Sequence, residues 1–226
     1  MRYNAKTIGM LRKPVPEGNE QSIILAERKL GIRLPESVRE WYSEVDGRDV
    51  LSKYSNDDWA LAPSEFARVE VCGRELVKFL VENQGVCWWG FELNGSDDPP
   101  VKVNLDPPPD NLFQYAATFS EFTYVRVFDF DGWYDEDRFL LETREPLQQT
   151  TLRWLESRFV SEPWSVGWPG TTNYRFSTPL GRIVIWDCEG QADWILTAPS
   201  SAALDHLKRE VSAVWQAAAQ RPIEQE

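Results

Sequence analysis

Apolar and polar positions follow two different periods along this chain, and each change of period marks an element. Ile23, Ala26 and Leu30 recur at helical spacing and predict a helix over 20–30. Asn19 is placed to cap it, Glu20 meets the positive end of its dipole, and Gly31 stands at the C′ position. Leu34 to Val45 predicts a second helix, with Pro35 in its first turn and Val38, Trp41, Tyr42 and Val45 at i, i+3, i+4 and i+7. Asp46-Gly47 ends it. Residues 48–73 are mixed: Trp59 to Pro63 reads as a short extended piece, and Ser64 starts a helical turn. Arg74 to Glu82 carries Leu76, Phe79 and Leu80 at helical spacing and predicts a short amphipathic helix.

The turn Asn83-Gln84-Gly85 leads into a period of two. Val86 to Leu93 predicts a strand, Asn94 to Pro100 a loop, and Val101 to Leu105 the returning strand of a hairpin. Asp106-Pro107-Pro108-Pro109-Asp110 interrupts regular structure. A short helix is expected around Ser120-Glu121-Phe122. Tyr124 to Phe130 then reads as a β-rich run meeting Asp131-Gly132 and resuming at Trp133, a hairpin signal, although 124–130 also suits a helix. A helix over 151–159, strands near 174–177, 182–187 and 193–197, and a last helix from Ser201 to about Gln220 complete the chain. Helices at both ends with hairpins between them predict an α+β fold.

Composition narrows the function. A chain of 226 residues buries roughly 70–75% of its unfolded surface. Its 11 Trp residues supply rigid, bulky surface that serves cores and interfaces alike. No stretch approaches a membrane span and the opening residues lack a leader's apolar core, so a cytoplasmic protein is expected. Cys72, Cys87 and Cys188 are scattered and never in CxxC spacing, which argues against a disulfide framework or a zinc site.

The net charge of −12 is uneven. Residues 1–30 carry six basic and three acidic side chains, whereas residues 106–145 carry ten acidic and three basic. Phosphate backbones repel such a surface, so direct nucleic-acid binding is not expected, and a basic protein partner is. His206 is the sole histidine, and no GxSxG elbow, P-loop or GxGxxG accompanies it. The expectation is a binder and not an enzyme, with no cofactor.

The densest acidic cluster is Asp129, Asp131, Trp133, Tyr134, Asp135, Glu136 and Asp137. Fitted to a calcium loop it places Val127 and Arg138 at the first and twelfth positions, where ligands are needed, so no metal site is expected. A carboxylate pair in acid–base catalysis stays open, because such partners meet in space. The favoured reading is partner binding, with Trp133 and Tyr134 as anchors and the carboxylates steering. Asp57, Asp58 and Trp59, with Asp97 and Asp98, form a second candidate surface.

The string Leu30-Gly31-Ile32-Arg33-Leu34-Pro35, continuing through Trp41-Tyr42 to Asp46-Gly47, resembles the opening of the SUKH superfamily. Glu82 to Trp89, Asp97-Asp98-Pro99-Pro100-Val101 and Thr118 to Phe122 resemble its later segments in the same order. That group contains Smi/Knr-type cell-wall regulators and bacterial toxin-immunity proteins. The resemblance covers about residues 18–125. It implies a central antiparallel sheet flanked by helices, used as a binding scaffold. Residues 126–226 carry no motif that matches the family core and are expected to form an α+β extension packed on the same domain. The resemblance also implies an immunity protein that neutralises a toxin, a basic nuclease being one such target. A signalling adaptor is the alternative, and a carboxylate- or calcium-dependent enzyme the third reading.

Overall fold

Asn19 caps the first long helix as its position predicts: its side chain accepts the Ser22 N–H, and Gly31 closes the other end at φ 68°. The computed structural model describes residues 3–11, 14–105, 112–131, 138–143, 145–166, 171–188 and 190–219. The chain divides into two compact units, residues 1–131 and 132–226. With helices and two antiparallel sheets, the class is α+β.

The first unit contains α1 (Asn4–Met10), α2 (Glu20–Leu30), α3 (Glu36–Glu44), α4 (Gly47–Lys53), β1 (Trp59–Ala60), β2 (Ala67–Val71), β3 (Arg74–Val81), β4 (Cys87–Glu92), β5 (Val101–Leu105), β6 (Leu112–Ala116) and α5 (Phe119–Phe130). Its sheet runs β1-β3-β4-β5-β6, and β2 also pairs with β3. One face packs on α5. Phe79 and Phe91 set their rings against Phe119 and Phe122 at centroid distances of 5.1–5.9 Å.

Two expectations are corrected here. Arg74 to Glu82 is not a helix but the central strand β3. The register shifts between Lys78 and Leu80, which marks an irregularity at Phe79. Phe79 and Leu80 are consequently both fully buried, and the helix-like spacing comes from this irregularity in the strand. Tyr124 to Phe130 is not a strand but the second half of α5, whose first turn is capped by Thr118. That helix is buried almost all round, so its apolar run carries no 3.6-residue period. It also runs through the junction expected at 125–126. Asp46 does more than end a helix, since its carboxylate accepts the Asp49 N–H and so starts α4. Elements α1, β2 and β6 were not anticipated.

The second unit contains β7 (Arg138–Thr143), α6 (Gln149–Arg158), β8 (Val160–Ser161), β9 (Ser165–Val166), β10 (Thr172–Ser177), β11 (Arg182–Cys188), β12 (Gln191–Thr197) and α7 (Ser201–Ala219). Leu152 and Leu155 of α6 and Leu204, Leu207 and Val211 of α7 share one core with Ile183, Ile185, Trp194 and Leu196 of the sheet. Its layout echoes the first unit. Two strands lie end to end along one edge (β1 and β2 on β3, β8 and β9 on β10), followed by a three-strand meander and a fourth strand. In the first unit that fourth strand is β6, which follows the meander, whereas in the second it is β7, which precedes it. Trp164, 62% exposed, lies between β8 and β9. The buried Arg175 guanidinium fixes this stretch by donating to the Pro163 carbonyl at 3.1 Å and to Ser165 Oγ at 3.0 Å.

Candidate protein-binding face

Side chains alternate across a strand, so the sheet face opposite α5 follows from the register. Trp59 of β1 pairs with Val81 of β3, Val81 with Trp88 of β4, Trp88 with Asn104 of β5, and Asn104 with Leu112 of β6. These five residues make one row across the sheet. At about 4.8 Å per strand gap the row is roughly 19 Å long. None of the five is buried, and Trp59 is 67% exposed, whereas Phe79, Phe91, Val101 and Val103 of the other face are closed off from solvent. Only Trp59, at the end of the row, is well exposed, while Val81, Trp88, Asn104 and Leu112 are half-buried. The row is a partly open apolar strip with Trp59 as its accessible aromatic.

Gly90 seats one of those tryptophans. A Cβ at Gly90 would meet the Trp88 ring at Cζ3 and the Val77 carbonyl, both at 3.0 Å. The indole of Trp88 therefore lies over Gly90. Lys78 pairs with Gly90 across the strands, and its ammonium stands 5.7 Å from the Trp88 ring centroid. Lys102, next in that second row, holds Gln114 at 3.2 Å and Glu92 at 3.8 Å. The expected result of Gly90→Val is a loss of about 1–3 kcal/mol together with a changed Trp88 emission. A variant with unaltered stability and emission would show that Trp88 is not seated there.

A buried ion pair anchors the loop that carries Trp59. Asp58, next to Trp59, binds the guanidinium of Arg126 from α5, and both side chains are buried. Rings of Trp89, Phe122 and Phe130 surround that guanidinium at 5.1–6.0 Å. Burial pushes the Asp58 carboxyl up, and Arg126 pulls it part of the way back. Two further contacts fix the loop. The Asp58 N–H donates to Ser55 Oγ at 3.0 Å, and Asn83 donates to the Asn56 carbonyl at 2.5 Å. Asp57 is held between them at φ 60°. Such a rigid loop presents its tryptophan without an ordering cost on binding.

The sequence-selected residues separate accordingly. Asp57 and Trp59 are exposed at the row's end, but Asp58 is a buried anchor and no surface steerer. Asp98 accepts from the N–H and the hydroxyl of Ser120 at 2.9 and 2.6 Å, which ties the β4–β5 loop to the start of α5. Asp97 is exposed, and its carbonyl receives the Ser37 N–H. Asp129 is buried within α5, and Asp131 caps its end. They stand on a helix and not in a hairpin. Trp133, Tyr134, Asp135, Glu136 and Asp137 lie outside the described residues. The row residues Val81, Trp88 and Leu112 were not singled out. Alternation along Cys87-Trp88-Trp89-Gly90-Phe91 carries the signal, since Cys87, Trp89 and Phe91 are buried while Trp88 is not.

Cys87 lines the inner side of this strand. Burial, with Glu82 nearby, pushes its thiol up to about 12. It therefore remains a thiol at neutral pH. Iodoacetamide is expected to label the exposed Cys72 in the native protein and Cys87 only after unfolding, a pattern that peptide mass mapping reads directly. Among the described residues no helix is long and apolar enough to cross a membrane. Compared with protein-family models, curated proteins and solved structures, the chain matches none of them.

Proposed function

We propose that this chain is a protein-binding domain of the SUKH kind, an immunity protein that neutralises a toxin by direct contact, and that it acts without catalysis. The partly exposed row of Trp59, Val81, Trp88 and Leu112 carries this reading. It supplies two large rigid aromatics, exposed Trp59 at its end and half-buried Trp88 near its middle, the residue types that anchor protein interfaces. The chain's charge of −12 favours a basic toxin during diffusional encounter. Contact energy comes from the row.

Co-expression with the product of an adjacent toxin-like gene tests the proposal. The wild-type chain is expected to restore growth and to co-purify with the toxin. The double variant Trp59→Ala/Trp88→Ala is expected to fold but to bind about 30-fold or more weakly, the scale of losing hot-spot aromatics. Protection by the double variant at wild-type level, or no binding to any adjacent product, sinks the reading.

A further inference from the structure

Helix α1 lies against α3 and α5 through a small and mostly polar contact. It spans seven residues, no side chain caps its first turn, and Gly9 stands inside it. Helices that short do not hold themselves in water, so α1 keeps its form only while docked. Its buried residues are Asn4 and Thr7. Thr7 donates its hydroxyl to the Tyr3 carbonyl at 2.7 Å, within its own turn. Asn4 reaches across to α3, where its amide nitrogen donates to the Ser37 carbonyl at 3.0 Å and to Glu40 Oε2 at 2.8 Å. On α5, the Tyr3 ring lies 5.2 Å from that of Tyr124, and the Lys6 ammonium stands 4.4 Å from the same ring.

Docking strands two polar atoms. Both hydrogens of the Asn4 amide face acceptors, which fixes the amide's orientation and leaves Oδ1 pointing elsewhere. Asn4 Oδ1 and the Ser37 hydroxyl are shut off from water, and among the described residues neither has a hydrogen-bond partner. A buried polar atom in that state weakens the contact that buries it, and water relieves it once the contact opens. The chain is pinned again just beyond α1. Pro16 accepts the Asp46 N–H at 2.8 Å, and the Asn19 N–H donates to the Tyr42 carbonyl at 3.1 Å. A Cβ at Gly18 would come within 2.4 Å of the Tyr42 and Ser43 carbonyls, so the backbone there lies directly on the end of α3. Helix α1 can therefore lift without unseating α2. We infer that α1 is a strap that undocks from α3 and α5 while the rest of the first unit stays folded. Undocking uncovers Tyr124, which is 1% exposed with α1 in place. The strap stands apart from the binding role proposed above, because α1 packs on α5 while Trp59 and Trp88 belong to the opposite sheet face.

Hydrogen exchange on the full chain, read by mass spectrometry, tests the strap. Peptides covering residues 5–11 are expected to exchange about a thousandfold or more faster than those of β3 and β4. Equal protection would make α1 an integral part of the core and overturn the inference. A frayed chain end would also exchange fast, so a substitution outside α1 separates the two. Ser37→Ala, on α3, removes the stranded hydroxyl and is expected to slow exchange in α1 about tenfold. Unchanged or faster exchange there overturns the inference. Asn4→Asp removes both donated hydrogens and sets a carboxylate against Glu40, so it is expected to release α1. Exchange in β3 and β4 should stay as in the wild type, while nitration with tetranitromethane, mapped by peptide mass, reaches Tyr124. A Tyr124 still shielded in that variant, or protection lost throughout the first unit, overturns the strap. None of these readouts involves a partner, so their failure leaves the binding proposal standing.

Discussion

Arg126→Ala is expected to destabilise the first unit by about 3–5 kcal/mol, a third or more of the stability of a typical domain. The substitution strands the Asp58 carboxylate among Trp89, Phe122 and Phe130 without its cation. Burial already pushes that carboxyl above its ordinary value, and removing the guanidinium leaves burial unopposed. A raised folded-state value contributes stability that is complete below the unfolded value and is lost as pH rises through the folded one. The deficit of the variant should therefore shrink as pH falls from 7 toward 4. Urea midpoints at several pH values measure it. The double variant Asp58→Leu/Arg126→Met should recover most of the loss, because a buried ion pair is often no more stabilising than apolar residues of like size. An Arg126→Ala midpoint equal to wild type would contradict the burial of this pair.

Phe79→Ala is expected to cost about as much, 3–5 kcal/mol. Phe79 is fully buried and its ring touches those of Phe91, Phe119 and Phe122, so truncation opens a cavity where β3, β4 and α5 meet. Phe79→Leu keeps most of the volume and should cost about 1.5 kcal/mol or less. Denaturant titrations of the pair decide the matter: equal losses would mean that the site tolerates a void and that the ring contacts contribute little.

Phe79 also shows how far the sequence could be read. Helices with their own signals, such as Asn19 and Gly31 around α2, were legible to the residue because capping is local chemistry. Three strands of the second unit, β10, β11 and β12, were legible, whereas β7 and the two-residue strands β8 and β9 were not anticipated. The failures came where tertiary context reverses a local pattern. An irregularity at Phe79 gives β3 a helical spacing, and burial on all sides removes the period from α5. Half of the candidate surface was visible, since Trp59 and Asp57 stood out as an aromatic beside carboxylates. That Asp58 turns inward was not visible, because Arg126 lies 68 residues away and their meeting is set by packing. The row through Val81, Trp88 and Leu112 needs the register of four strands, which no single stretch of sequence contains.

The end-to-end strands along one edge of each sheet bear on how these molecules keep apart from one another. An uninterrupted edge offers a ladder of unpaired amides on which a second chain can template itself, the first step toward fibres. Here the stretch holding Pro63 separates β1 from β2, and Pro163 stands between β8 and β9, so no strand on that side exceeds five residues. The interruptions deny a growing aggregate its foothold. A chain that exposes Trp59 on that very edge strand has particular need of them, because a sticky side chain beside a continuous edge would recruit copies of itself.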